Sequence, residues 1–206
     1  MRLEVSNVWT ISKPIDEPVT LDEALLDFRL DAYGSPAEHP DEALIQSTIT
    51  AARELAEHYI NGRIAEWQLE LRIAGFCPVI PIPDAPLQSI DAVTYIDTNG
   101  ATQTVDSALY ELAGRPEAPV LRLVYGTSWP TGVRAQDDAV RIRYTAGYTT
   151  GSPDTNPVPE VIKKAIRLIA GHMYENRENV VIGASVAELP MGALFMLQPY
   201  RRHMGV

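Results

Sequence analysis

Four histidines, His39, His58, His172 and His203, are the first residues to test for chemistry. Two imidazoles on one helix share a metal only when they stand one turn apart, and no two of these have that i, i+4 spacing. The sequence therefore predicts no metal site. Glu54 and His58 do stand four apart and would meet on a helix face as an acid–base pair, but a solvated surface pair is the simpler reading. Cys77 is the single cysteine. It lies between Phe76 and Pro78 with no histidine nearby, which predicts a buried structural thiol in preference to a nucleophile. A lone thiol also forms no internal disulfide framework, and Met1-Arg-Leu-Glu-Val-Ser lacks the basic and apolar regions of a secretion signal. Together these predict an intracellular product.

Larger motifs are missing as well. There is no G-x-S-x-G elbow, no phosphate-cradling glycine loop and no dinucleotide fingerprint. The carboxylates follow helix starts and turns, where capping explains them. Arg72, Arg122, Arg141 and Arg143 could share one sheet face and bind an acidic ligand, but cross-strand pairing with Glu70 on a solvated face is the default. The expectation is neither an enzyme nor a cofactor-binding protein.

The chain has 206 residues, 46% of them hydrophobic, enough for one sizeable core or two small lobes. Its apolar runs, such as Val79–Ile82 and Ala193–Leu197, are far shorter than the ~20 residues of a membrane helix, so no membrane partner is expected. Net charge is −10, with 12 acids and 5 bases in residues 1–65 against 5 acids and 6 bases in residues 151–206. No Lys/Arg cluster supplies the footprint of a tight nucleic-acid binder. Of the 17 bases, 14 are Arg, whose planar fork suits interface ion pairs.

The elements that must position these residues read as α+β. Residues 1–19, with Pro14 and Pro18, predict an extended arm. Thr20-Leu-Asp-Glu23 is a capping box opening a short helix to about Leu30. Asp41 to Asn61 carries the clearest helical stripe, Leu44, Ile45, Thr48, Ile49, Ala52, Leu55, Ala56, Tyr59 and Ile60, with Gly62 as its left-handed stop. From Glu66 the period becomes alternating: Trp67, Leu69, Leu71 and Ile73 form a strand. Ile90–Asp97 and Ala101–Val105 form a hairpin turned at Gly100, Val120–Tyr125 and Val140–Tyr144 add two strands, and prolines 78, 81, 83 and 86 mark an edge strand or loop. A third helix runs from Pro159 to about Arg177, with Val161, Ile162, Ala165, Ile166, Ile169, Ala170 and Met173 inward. The predicted layout is an arm at 1–19, a helical core of 20–65 and 151–180, an inserted antiparallel β subdomain at 66–150, and a C-terminal segment at 181–206.

That last segment is apolar from Met191 to Leu197 and ends in Gln198-Pro-Tyr-Arg-Arg202. A short terminal helix here either covers its own core or docks on another subunit, with Phe195, Leu197 and Tyr200 as apolar anchors and Arg201 and Arg202 as charged contacts. Physics leaves the two readings even.

A series of short motifs in order, Thr20-Leu-Asp-Glu-Ala24, Asp41-Glu-Ala-Leu44, Pro86-Leu-Gln-Ser-Ile90, Ser128-Trp-Pro130, Val140–Arg143 with Ala146-Gly-Tyr148, Pro159, Tyr174-Glu-Asn-Arg-Glu178, Glu188-Leu-Pro190 and Pro199-Tyr-Arg201, resembles the head–tail connector (adaptor) proteins of long-tailed bacteriophages and gene transfer agents. The resemblance implies a non-enzymatic virion protein, assembled in the host cytoplasm, that forms a ring, commonly of twelve copies, at the neck. Its implied partners are the portal above, a stopper or tail-completion protein below, and double-stranded DNA that slides past without tight binding. It also implies that Tyr174, Glu175, Arg177, Leu189 and Pro190 join the tail residues at the subunit or portal interface. The competing classes are a ligand- or carbohydrate-binding β module on a helical scaffold and an enzyme with dispersed catalytic residues.

Overall fold

The computed structural model describes residues 8–30, 39–116, 118–149, 157–176 and 190–202. These fall into two compact units, one of residues 8–15 and 66–148 and the other of 16–65 and 149–202.

The helical unit begins at α1 (Leu21–Asp27). The Thr20 hydroxyl accepts the Glu23 N–H at 3.2 Å and the Glu23 carboxylate accepts the Thr20 N–H at 3.0 Å, so the reciprocal cap forms as expected. The helix is shorter than its apolar pattern suggested, because the chain turns at Arg29 with φ 58°. Helix α2 (Glu42–Ile60) buries Ile45, Thr48, Ile49, Ala52, Ala56 and Ile60 on one stripe. Its left-handed residue is Asn61, with φ 52°, and not Gly62. Asn tolerates that conformation, and the Gly62 N–H closes the end by donating to the Glu57 carbonyl at 3.1 Å. Helix α3 (Glu160–Glu175) buries Ile162, Ala165, Ile166, Ile169 and Ala170 at helical spacing and packs against α2, whereas Val161, expected inward, is 45% exposed and Met173 is half-buried. Helix α4 (Met191–Leu197) lies on α3 and α2. None of the described helices is long and apolar enough to cross a membrane.

The β unit holds two antiparallel sheets. Strands β1 (Val8–Ser12), β2 (Trp67–Ile73), β8 (Val140–Ala146), β4 (Leu87–Ile96) and β5 (Thr102–Thr104) form the larger, in the order β1-β2-β8-β4-β5. The smaller has the order β3-β7-β6, from β3 (Val79–Pro81), β7 (Ala118–Leu123) and β6 (Tyr110–Arg115). Leu69, Leu71, Ile73, Val93, Val140, Ile142 and Tyr144 from the first meet Ile80 and Leu121 from the second in one core. Phe76 stacks on Trp129 at 4.6 Å, and the Trp129 indole N–H donates to the Cys77 carbonyl at 2.8 Å, which leaves Cys77 partly buried beside the core.

Two strands escaped the sequence pattern. Residues 8–12, expected within an unpacked arm, form the edge strand β1, with Val8 opposite Leu71 and Trp9 opposite Glu70. Strand β6 pairs with β7, and within it Gly114, φ 91°, stands opposite Pro119, where a Cβ would sit 2.5 Å from the Ala118 carbonyl oxygen. Only glycine fits there.

Candidate interaction surfaces

Helix α4 sorts its side chains by face. Ala193 and Leu197, one turn apart, are fully buried against the helical unit, while Met191 and Phe195, also one turn apart, are 81% and 76% exposed. An isolated seven-residue helix is unstable in water, so its inner face must supply the packing that keeps it folded. Beyond it, residues 198–200 make a 3-10 turn, and the Arg202 N–H donates to the Ile60 carbonyl at 2.8 Å. The Asn61 amide donates to the Arg202 carbonyl at 3.2 Å, and the Arg201 guanidinium lies 5.4 Å from the centre of the Tyr59 ring. The end of α2, with an orphan carbonyl to satisfy, thus clamps the described end of the tail.

The expected interface residues therefore separate. Phe195 faces outward and Arg201 is exposed; Pro190, Tyr200 and Arg202 are half-buried, and Leu197 faces the subunit's own core. Tyr174 is tied inside its unit: its hydroxyl donates to Asp41 at 2.7 Å and its ring stacks on Phe28 at 5.6 Å. Glu175 is exposed. Arg177 and Leu189 lie outside the described residues. Met191 was missed by the sequence reading, although its place one turn before Phe195 was the available signal.

The buried charges are bound to one another. In the helical unit, Arg53 is 3% exposed, donates to Glu17 at 2.7 Å and to Glu57 at 3.1 Å, and Glu57 also accepts the N–H groups of Ile64 and Ala65. Burial works against the Arg53 cation, but the Glu17 hydrogen bond and the charges of Glu57, Glu17 and Glu54 outweigh it, raising its pKa. In the β unit, Glu70 is not on a solvated face as expected; it is 2% exposed beneath Arg72 and Arg143, which donate to it at 2.8 and 2.9 Å. Burial pushes its carboxyl up, and those two hydrogen bonds hold it below the usual range. The Arg72 guanidinium sits 4.5 Å over the Trp9 ring, so the same cluster ties β1 to β2.

The four arginines do not share one face. Arg72 and Arg141 are cross-strand partners on the larger sheet and Arg143 lies opposite Glu70, but Arg122 is on β7 in the smaller sheet and pairs with Glu111 at 2.8 Å. Glu54 and His58 are both exposed on α2. Among the described residues no three His, Cys, Asp or Glu side chains gather as a metal set. The exposed large apolar side chains include Met191 and Phe195 on α4, Trp9 and Ile11 on β1, Leu26 on α1, Ile15, and Tyr125 beside Gly126.

No protein-family model matches the chain, and no curated protein sequence matches it. Solved structures do. A chain in the neck of an empty gene transfer agent particle, computed with C6 symmetry, aligns at TM-score 0.76 and 19% identity over 97% of each chain. A chain in the virion of a native gene transfer agent particle aligns at 0.74 and 18%, and one in the neck of a native particle computed with C12 symmetry at 0.70 and 19%, each over 97% of both chains. The chain therefore shares, over nearly its whole length, the fold of chains from the necks and virion of gene transfer agent particles.

Proposed function

We propose that this chain is a structural, non-enzymatic head–tail connector of a phage or gene transfer agent neck. It assembles as a ring beneath the portal, extends the DNA channel and offers a platform to the stopper and tail. The observation that carries the reading is the full-length fold likeness to neck chains of particles treated with sixfold and twelvefold symmetry. The motif series along the sequence supports the same family independently of that likeness.

The surface chemistry suits the role. Met191 and Phe195 present an apolar strip on a helix anchored to its own subunit by Leu197, Ala193 and Arg202, a ledge for the portal. Such a ledge binds without losing much conformational entropy. A net charge of −10 repels the phosphate backbone, so DNA slides past without being held.

Particles made without this protein are expected to package DNA but to lose it and fail to join tails. Normal tailed particles from a deletion strain would overturn the reading. Mass measurement of the purified protein, alone and with portal, checks the ring directly.

A further inference from the structure

The larger sheet ends in two unlike edges. Strand β1 carries Trp9 and Ile11, 54% and 46% exposed, and no charged residue of its own. Lys13 follows it, and Arg72 and Arg143 flank it on the next two strands, around a Glu70 already neutralised by them. Strand β5, Thr102–Thr104, is exposed at all three residues and carries only hydroxyls and an amide. Around it stand Asp97, which accepts the Gln103 amide at 3.0 Å, and Asp106, while the Arg134 N–H donates to the Ile96 carbonyl beside them. One edge is apolar and cationic; the other is polar and acidic.

Proteins that stay monomeric usually blunt such edges with charge, proline or a covering segment. Within the described strand, β1 has only a register irregularity between Thr10 and Ser12. A closed ring needs the opposite arrangement, two different surfaces on each copy that fit each other. From these edges we infer that β1 of one copy pairs with β5 of the next, continuing the larger sheet across the subunit boundary. The inference rests on the ring proposed above and names the surfaces that close it.

The topology also sets the sense of the pairing. Every neighbouring pair in β1-β2-β8-β4-β5 is antiparallel, so, twist aside, the two edge strands run in the same sense. A sixth or a twelfth of a turn, about any axis, tilts a strand by no more than that angle. The junction expected between copies is parallel in sense, whereas a twofold dimer through β1 alone would be antiparallel. Parallel pairing inside a chain needs a long crossover, but between chains it needs none. Only three residues of β5 take part, so the junction is weak singly and depends on ring closure.

Within one chain β1 and β5 are separated by three strands, roughly 19 Å at the usual strand spacing. A disulfide between them in a single subunit is excluded by geometry. The test is the full-length double variant Ile11→Cys with Gln103→Cys, assembled with portal and oxidised, with each single variant as the control for Cys77. A ladder of covalent oligomers ending at the ring size, absent from both controls, is the expected result. Ile11→Lys should leave the thermal midpoint of the monomer unchanged and reduce ring yield at least tenfold. Rings that form normally with Ile11→Lys and give no cross-link above the controls would overturn the edge pairing and leave the connector reading intact; a covering of β1 by residues 1–7 would produce that same result. A covalent dimer from Ile11→Cys alone would also overturn it, in favour of twofold contact. Absence of any ring, with or without portal, would sink both proposals.

Discussion

Glu70 shows how a side chain that reads as surface becomes structural. Alternation places it on the outer face of the larger sheet, yet Arg72 and Arg143 close over it, and Trp9 lies against Arg72. Because the folded-state pKa is below the ordinary 4.5, its contribution to stability is fully present above that value and is lost as pH falls through the depressed folded value. Glu70→Gln should cost about 1–3 kcal/mol at neutral pH. The variant should also lose less stability than the parent between neutrality and pH 3, and denaturant midpoints across that range check both outcomes. Arg53 is a more severe case, since Arg53→Met removes a buried cation that bridges Glu17 and Glu57; a loss of roughly 3–5 kcal/mol is expected in urea unfolding. These residues are paired for architecture, each buried charge holding two segments together.

At the scale of elements, α4 combines two tasks that seemed to be alternatives. Its inner face closes the helical unit, so removing residues 190–206 should lower the thermal midpoint, and truncation alone says little about docking. Point variants separate the faces. Leu197→Ala, in a fully buried position, should cost about 2–5 kcal/mol. Phe195→Asp, on the exposed face, should leave unfolding within about 0.5 kcal/mol of the parent and abolish capture of the subunit by immobilised portal. Retained capture by Phe195→Asp would remove the apolar strip from the portal interface. The pairing of α2 with α3 belongs to the same scale: Ile169 is 1% exposed, and Ile169→Ala should cost about 2–5 kcal/mol, whereas Leu55, only half-buried, should cost less.

For the whole molecule, charge is the property most directly tied to the proposed connector role. Residues 1–65 hold 12 acids against 5 bases, and Asp16, Asp22, Glu42 and Glu54 among them are exposed. The isolated protein should not retain short duplex DNA at physiological salt, as a filter-binding or gel-shift titration will show. An assembled ring whose channel wall is lined mainly by arginine would contradict the sliding role. If the proposed ring forms, the two unlike edges of the larger sheet are the surfaces by which one copy would meet the next.

What the sequence by itself determined was local and periodic. The capping box at Thr20, the turn at Gly100 and most of the stripes of α2 and α3 and of the alternation of β2 and β8 follow from neighbours within a few residues and form as read; Leu44 and Val161, exposed on the stripes, and Glu70, buried against the alternation, do not. Strands β1 and β6 were not legible, because a run of five or six residues has little pattern of its own and is held as a strand by partners far along the chain. Nor could the sequence rank the faces of α4: Phe195 and Leu197 are both large and apolar, and only packing against α2 and α3 turns one in and leaves the other out. The same holds for Glu70 and Arg122. Burial and sheet membership are set by contacts between distant segments, so tertiary structure alone decided which charge is sealed inside and which apolar side chain is free to meet another molecule.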